Sequence, residues 1–396
     1  MKTINTVFDY LKWRGDLSFR QDPFNEVDSV ILSMICFLDL AEVVPAPNET
    51  GSVTLAQAME HFERSFTGER RLGVILPEDI LTMAHAAAEA PRYADAKLFA
   101  YENLIDEQKE MQFAALTFRL SNGSLFIAYR GTDDTLVGWK EDFNMTFLSH
   151  VPAQERAAAY LNHVAGLHTG EIRTGGHSKG GNLAIWAAVH ANAALRGRIL
   201  RAYSNDGPGF TREMLESERY RSMRDRCVTY VPQSSLVGML MEHDDNYQII
   251  YSNKAGLMQH DPYSWAVNRN RYVYLDSRSA FGEHSDAALR LWLNSMTVEE
   301  RQELVHDLFH VLESTGAKTL TDLSQNKGAV LTMLKTLAEY DKSRRKRISR
   351  LLTRFLAAQV ETAAPETELM SWLEKLERME KMDLKSLPSL LEWVEK

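Results

Sequence analysis

The chain has 396 residues, 44% hydrophobic and 25% charged, a balance that excludes the disordered, collagenous and disulfide-scaffold classes. A formal net charge of −9 argues against nucleic-acid binding, which needs lysine and arginine clustered over a broad face. Two cysteines, Cys36 and Cys227, are too few for a disulfide framework and point to a reducing compartment, so a cytoplasmic location is expected.

Met1-Lys2-Thr3-Ile4-Asn5 runs directly into Asp9, Lys12, Arg14 and Asp16, which is not the pattern of a signal peptide. The apolar stretch from Val30 to Val44 is interrupted by Asp39 and Glu42 and falls short of the roughly 20 residues a spanning helix needs, so it reads as a buried helix. Strand-like runs begin at Gln112 to Phe118 and Leu125 to Tyr129, joined through Asn122-Gly123, a pair that accepts the positive φ of a type I′ hairpin turn. Ala153 to Leu167 has helical spacing, Glu171 to Thr174 is a short strand, and Gly181 to Leu195 is an alanine-rich helix. Further strands are expected at Ile199 to Ser204, Cys227 to Val231, Tyr247 to Tyr251 and Tyr272 to Leu275. Strand alternating with helix predicts an α/β fold, a mostly parallel sheet flanked by helices.

Beyond about His284 the strand signals stop and leucines recur at three-to-four spacing, predicting amphipathic helices. Single cores stop growing at roughly 250–300 residues. The expected division is an α/β domain over residues 1–284, with an N-terminal helical segment, and a helical domain over residues 285–396.

The sharpest local signal is Gly176-His177-Ser178-Lys179-Gly180, lying between a predicted strand and a predicted helix. Glycines flanking a serine at such a turn allow close backbone approach and raise the hydroxyl above the sheet at the positive end of a helix, so Ser178 is the candidate nucleophile. Upstream, the strand Phe126-Ile127-Ala128-Tyr129 ends in Arg130-Gly131-Thr132-Asp133. Acyl transfer develops charge on a carbonyl oxygen, and the candidate donors to it are the amide of Lys179 and the amide, with the hydroxyl, of Thr132.

These two motifs, in this order, make residues Leu116 to Trp265 resemble the fungal-type lipases of the α/β-hydrolase superfamily, and more closely a bacterial lipase-like family of unknown function. In those lipases an aromatic-Arg-Gly-Ser/Thr strand end supplies the oxyanion hole and Gly-His-Ser-x-Gly-Gly the nucleophile, matched here by Tyr129 to Thr132 and Gly176 to Gly181. The segment Phe8 to Asp16 also looks like the bacterial family, without implying chemistry. The order Ser, acid, His in this fold places the histidine downstream, and His260, in a His-x-x-Tyr segment similar to that of the lipases, is the choice over His243 and His284. Where the fungal-type pattern has its aspartate, after Tyr230-Val231-Pro232, this chain reads Gln233-Ser234-Ser235. The acid assigned is therefore Asp206, one strand earlier and similar in placement to pancreatic-type lipases, with Asp244 and Asp245 as alternatives.

The expected function is a serine hydrolase cleaving carboxylic esters or acyl lipids; transfer to an acceptor other than water would use the same residues. The rival is a catalytically silent fold acting as a binding module. No cofactor is expected, since Gly-x-Gly-x-x-Gly and Walker-type segments are missing. No metal site is expected either: His306 and His310 share a helix face, but no third ligand stands out. The predicted partner is a small-molecule or lipid ester. The basic run Lys342 to Arg347, leading into Leu351 to Leu356, offers contact with an anionic membrane surface only as the weaker reading against a solvated helix face.

Overall fold

The computed structural model describes residues 4–65, 79–326, 328–348 and 350. They fall into two units, one formed by Met1–Asp133 with Val137–Gly282 and the other by Asp134–Leu136 with Glu283–Lys396. In the first, β1 (Val53–Thr54), β2 (Lys97–Asp106), β3 (Met111–Arg119), β4 (Leu125–Tyr129), β5 (Ile172–His177), β6 (Ile199–Asn205), β7 (Cys227–Pro232) and β8 (Gln248–Ile250) pair in sequence order. After the hairpin of β9 (Val267–Asn268) and β10 (Arg271–Tyr272), β11 (Tyr274–Leu275) closes the far edge of a nine-stranded sheet. β4 through β8 are parallel, and both flanks are antiparallel.

Sequential parallel strands joined by crossovers of one hand put every crossover helix on the same face of the sheet. Here these are α5 (Leu136–Asn144) and α6 (Pro152–Gly166), then α7 (Lys179–Val189) and α8 (Ala193–Arg196), then α9 (Arg212–Glu216) and α10 (Glu218–Met223). The opposite face is covered by helices preceding β2: α1 (Val7–Arg14), α2 (Glu26–Ile35) and α4 (Asp79–Glu89), with α3 (Leu55–Ser65) beside them. Strand side chains alternate accordingly. Phe113, Ala115, Leu125, Ile127 and Tyr129 join the core under α6 and α7, whereas Leu116, Phe118, Phe126 and Ala128 join the core under α2. The result is a three-layer α/β architecture, a sheet with a parallel centre between two helical faces.

The N-terminal layer is organised by a buried ion pair. Asp28 takes two hydrogen bonds from Arg92, at 2.7 and 2.6 Å, and one each from the hydroxyls of Tyr93 and Tyr10, at 2.5 and 3.0 Å. Arg92 Nη1 also donates to the carbonyls of Leu17 and Asp22, both at 2.9 Å, and the guanidinium lies 4.1 Å from the Phe19 ring centroid. Burial, with Asp28 beside it, pushes the Tyr93 hydroxyl well above its usual range, so it stays a donor.

Three local readings are corrected. The sheet begins before Met111, because β2 was hidden: a bulge between Phe99 and Glu102, with Ala100 at φ 56°, breaks the two-residue alternation that reveals a strand. The buried helix starts at the Asn25 cap and ends at Ile35; residues 36–44 continue as turns. The β3–β4 hairpin turns through Leu120 to Ser124, and of its Asn-Gly pair only Gly123, at φ 85°, takes the left-handed conformation; the Asn122 side chain accepts from the Ser124 amide instead, at 3.0 Å.

The second unit contains most of α11 (Ala280–Asn294), α12 (Val298–Glu313), α13 (Leu320–Gln325) and α14 (Ala329–Glu339). In it His310 shares a 2.8 Å hydrogen bond with the Tyr340 hydroxyl, and Asp307 on α12 binds both Arg344 and Arg347. Two arginines of the basic run are thus engaged within the unit, while Leu351 to Leu356 lie outside the described residues. No helix among the described residues is long and apolar enough to cross a membrane.

Candidate active site

The turn from β5 into α7 is as tight as its glycines imply. A Cβ on Gly176 would sit 2.1 Å from the Gly180 carbonyl carbon, and one on Gly180 would sit 2.1 Å from the Tyr129 carbonyl oxygen, so strand, turn and helix approach each other at distances only glycine permits. Ser178 stands at the apex with φ 60° and ψ −135°, a conformation that costs a non-glycine residue about 1–3 kcal/mol and clusters at functional sites. Its amide is held by the Asn205 carbonyl at 3.1 Å. The amide of Lys179, at the first position of α7, has no partner among the described residues.

Asp206 follows β6, the neighbour of β5, also with positive φ, 55°. Its carboxylate is fully buried, and its Oδ2 lies 2.7 Å from His260 Nδ1. A carboxylate accepts, so Nδ1 donates and Nε2 is left as the basic nitrogen of the neutral ring. His260 ends the short 3-10 helix Gly256–His260, and its side chain is 21% exposed. The segment carrying it is pinned on three sides. The Trp265 indole donates to the Gln259 carbonyl at 2.8 Å, the Gln259 side chain joins the Ser234 amide at 2.7 Å to the Lys254 carbonyl at 2.7 Å, and His177 Nε2 donates to the His260 carbonyl at 2.8 Å.

His177 immediately precedes Ser178, and its ring centroid lies 4.5 Å from that of His260. Burial, reinforced by the neighbouring His260, holds the His177 imidazole well below the usual histidine range. The shift favours the neutral ring, which donates from Nε2 to the His260 carbonyl. The structure thus brings Asp206 and His260 together and places His260 beside the tight turn that carries Ser178. The Ser178 hydroxyl makes no hydrogen bond to any described residue, so the serine–imidazole contact is not formed in this conformation.

The carboxylate alternatives lie elsewhere: Asp244 is ion-paired with Arg224 and accepts from Tyr220 at 3.3 Å, and its Oδ1 takes the Asp245 amide at 2.7 Å. Of the other histidines, His243 packs against the Tyr247 ring and His284 belongs to the second unit. Gln233, at the fungal-type acid position, instead bridges to Ser252 in both directions at 2.8 Å.

The Arg130–Asp133 segment lies against the elbow: a Cβ on Gly131 would meet the His177 carbonyl at 2.5 Å and the Ser178 Cβ at 3.0 Å. Arg130 holds it by bonding Asp133 at 2.8 Å and Asn103 at 3.0 Å. The Thr132 hydroxyl donates to Asp142 at 2.5 Å, so it is engaged within the protein, whereas its backbone amide is not part of that bond. Burial pushes the Asp142 carboxyl up to about 6, against the opposing pull of Lys179 and Thr132.

Sequence reasoning missed the partners that hold the site: His177 and Gln259 for the imidazole, Glu141 and Asp142 for the Arg130–Asp133 segment, and Gly238. His177 lies inside the Gly-x-Ser-x-Gly motif and Gln259 directly precedes the His-x-x-Tyr segment, whereas Glu141, Asp142 and Gly238 stand apart from both. A Cβ on Gly238 would fall 2.0 Å from Asp206 Oδ1, so Gly238→Ala should turn the carboxylate off His260. Its expected result is a loss of about 10²-fold in kcat with a nearly unchanged melting temperature, since a rotated side chain relieves the clash. A kcat within twofold of wild type would show that the carboxylate orientation does not matter.

Comparison with curated proteins gives no match. Among solved structures, the crystal structure of M37 lipase is similar to this chain at 13% identity and a TM-score of 0.30, over 53% of this chain and 68% of that one. A family profile described as Mbeg1-like matches residues 87–310, a stretch that contains the elbow, Asp206, His260 and the Arg130–Asp133 segment. With more than half of its length so matched, the chain belongs to the Mbeg1-like family.

Proposed function

We propose that this protein is a serine acyl hydrolase acting on carboxylic esters or acyl lipids. The observation that carries the reading is the buried Asp206 carboxylate 2.7 Å from His260 Nδ1, on a segment tied to the residue preceding a strained Ser178. In the reaction, the Ser178 hydroxyl turns to His260 Nε2, gives up its proton and attacks the ester carbonyl. The resulting oxyanion accepts from the Lys179 and Thr132 amides. The imidazolium, stabilised by Asp206, returns the proton to the departing alcohol, and water repeats the cycle on the acyl-enzyme. Free enzymes commonly hold such hydrogen bonds loosely and tighten them around substrate.

The open Ser178 hydroxyl favours the second reading, a silent fold that binds without turnover. Fluorophosphonate labelling and hydrolysis of short- and long-chain p-nitrophenyl esters separate the two. Wild type is expected to label and turn over, and Ser178→Ala to do neither. A wild-type protein inert to both, even with detergent or lipid present, would establish the binding module.

A further inference from the structure

The side chain of Lys179 has no part in the reaction as written, yet among the described residues it is the lysine most deeply buried. It is 1% exposed, and its ammonium donates to Glu141 Oε2 at 2.8 Å, to the Gln112 side-chain oxygen at 2.8 Å and to the Gln112 carbonyl at 3.0 Å. All three donors of an ammonium are thereby used. Glu141 is fully buried too, and accepts from the Gln112 amide at 3.0 Å and the Ala153 amide at 2.9 Å. The next residue on α5, Asp142, holds the Thr132 hydroxyl, and its other oxygen, buried and without a hydrogen bond, lies 3.9 Å from the same ammonium.

One residue therefore touches both walls of the oxyanion site. Its amide forms one wall, at the start of α7, and its side chain reaches α5, which anchors the other wall through Asp142 and Thr132. Stability alone gives no reason for a buried charge here, because a well-packed apolar side chain in place of a buried ion pair is often neutral or stabilising. We propose that the Lys179 ammonium is a positioning group that sets the spacing between the Lys179 and Thr132 amides, coupling the nucleophile elbow to the Arg130–Asp133 segment through Glu141 and Asp142. This rests on the hydrolase reading above, and adds to it a role for a side chain remote from the reacting atoms.

A double-mutant cycle tests it. Lys179→Met removes the ammonium, and Thr132→Val removes the hydroxyl that grips Asp142 while keeping the amide. Each is expected to lower kcat and the fluorophosphonate labelling rate by about 10–100-fold, with KM within about threefold, because the oxyanion forms only in the transition state. The double variant should be no worse than the weaker single variant, since either change alone breaks the same linkage. A merely structural lysine gives losses that multiply, or a falling melting temperature with unchanged kcat, and either result overturns the proposal. If Lys179→Met does not fold, Lys179→Gln, which keeps two donors and drops the charge, takes its place in the cycle with the same two readings. A wild-type protein that neither labels nor turns over refutes the hydrolase reading itself, whereas an active wild type with multiplying losses refutes only the coupling.

Discussion

Asp206→Asn is expected to lower kcat by about 10⁴-fold while leaving the protein folded, because an amide in place of the carboxylate favours the wrong imidazole tautomer and no longer stabilises the imidazolium. The position suits this substitution. Asp206 sits at φ 55°, where asparagine is among the best tolerated residues, so the variant changes the chemistry without adding backbone strain. Its backbone N–H, which donates to the Tyr230 carbonyl at 2.8 Å, is untouched. Steady-state kinetics on an ester, with circular dichroism to verify the fold, supply the measurement, and Asp244→Asn supplies the control, since that carboxylate is committed to Arg224. A loss below tenfold for Asp206→Asn, or an equal loss for Asp244→Asn, would remove Asp206 from the mechanism.

The largest stability effect is expected at Asp28. Replacing it with asparagine leaves Arg92, 1% exposed, with its guanidinium uncompensated among Tyr10, Phe19 and Tyr93. Breaking a buried pair from one side costs about 3–5 kcal/mol, far more than an exposed pair contributes. The loss is concentrated in the layer that covers the otherwise bare face of the sheet, and α2 packs there directly on β5, the strand leading to Ser178. Urea unfolding of the full chain should therefore show a lower midpoint with activity lost over the same range. A change under about 1 kcal/mol would mean that the surrounding carbonyls of Leu17 and Asp22 suffice to hold the guanidinium, at the low end for bonds to a charge.

Part of this molecule is encoded locally, and that part was legible. The elbow is a five-residue motif whose glycines, strained serine and following helix are properties of adjacent residues, so Gly176 to Gly180 announced it without reference to the rest of the chain. The run of strands from β3 to β7 was likewise readable from apolar segments separated by helical ones. The first edge was harder. β2 carries a bulge and β1 spans two residues, too short for any periodicity to register, while the strand expected at Tyr272 to Leu275 is divided between the end of β10 and β11.

The sequence by itself determined a parallel-centred sheet with an elbow serine and an arginine-glycine-threonine strand end before it, because these are encoded in short-range pattern and backbone sterics. It also narrowed the acid and the histidine to a few residues each. Only the tertiary structure showed that Asp206, and not Asp244, comes within hydrogen-bond reach of the His260 ring, 54 residues further along the chain. It alone showed that the Thr132 hydroxyl belongs to Asp142 and that Lys179 turns its charge inward to Glu141, because buried hydrogen bonds are settled by which distant groups lose water together, and no spacing along the chain records that.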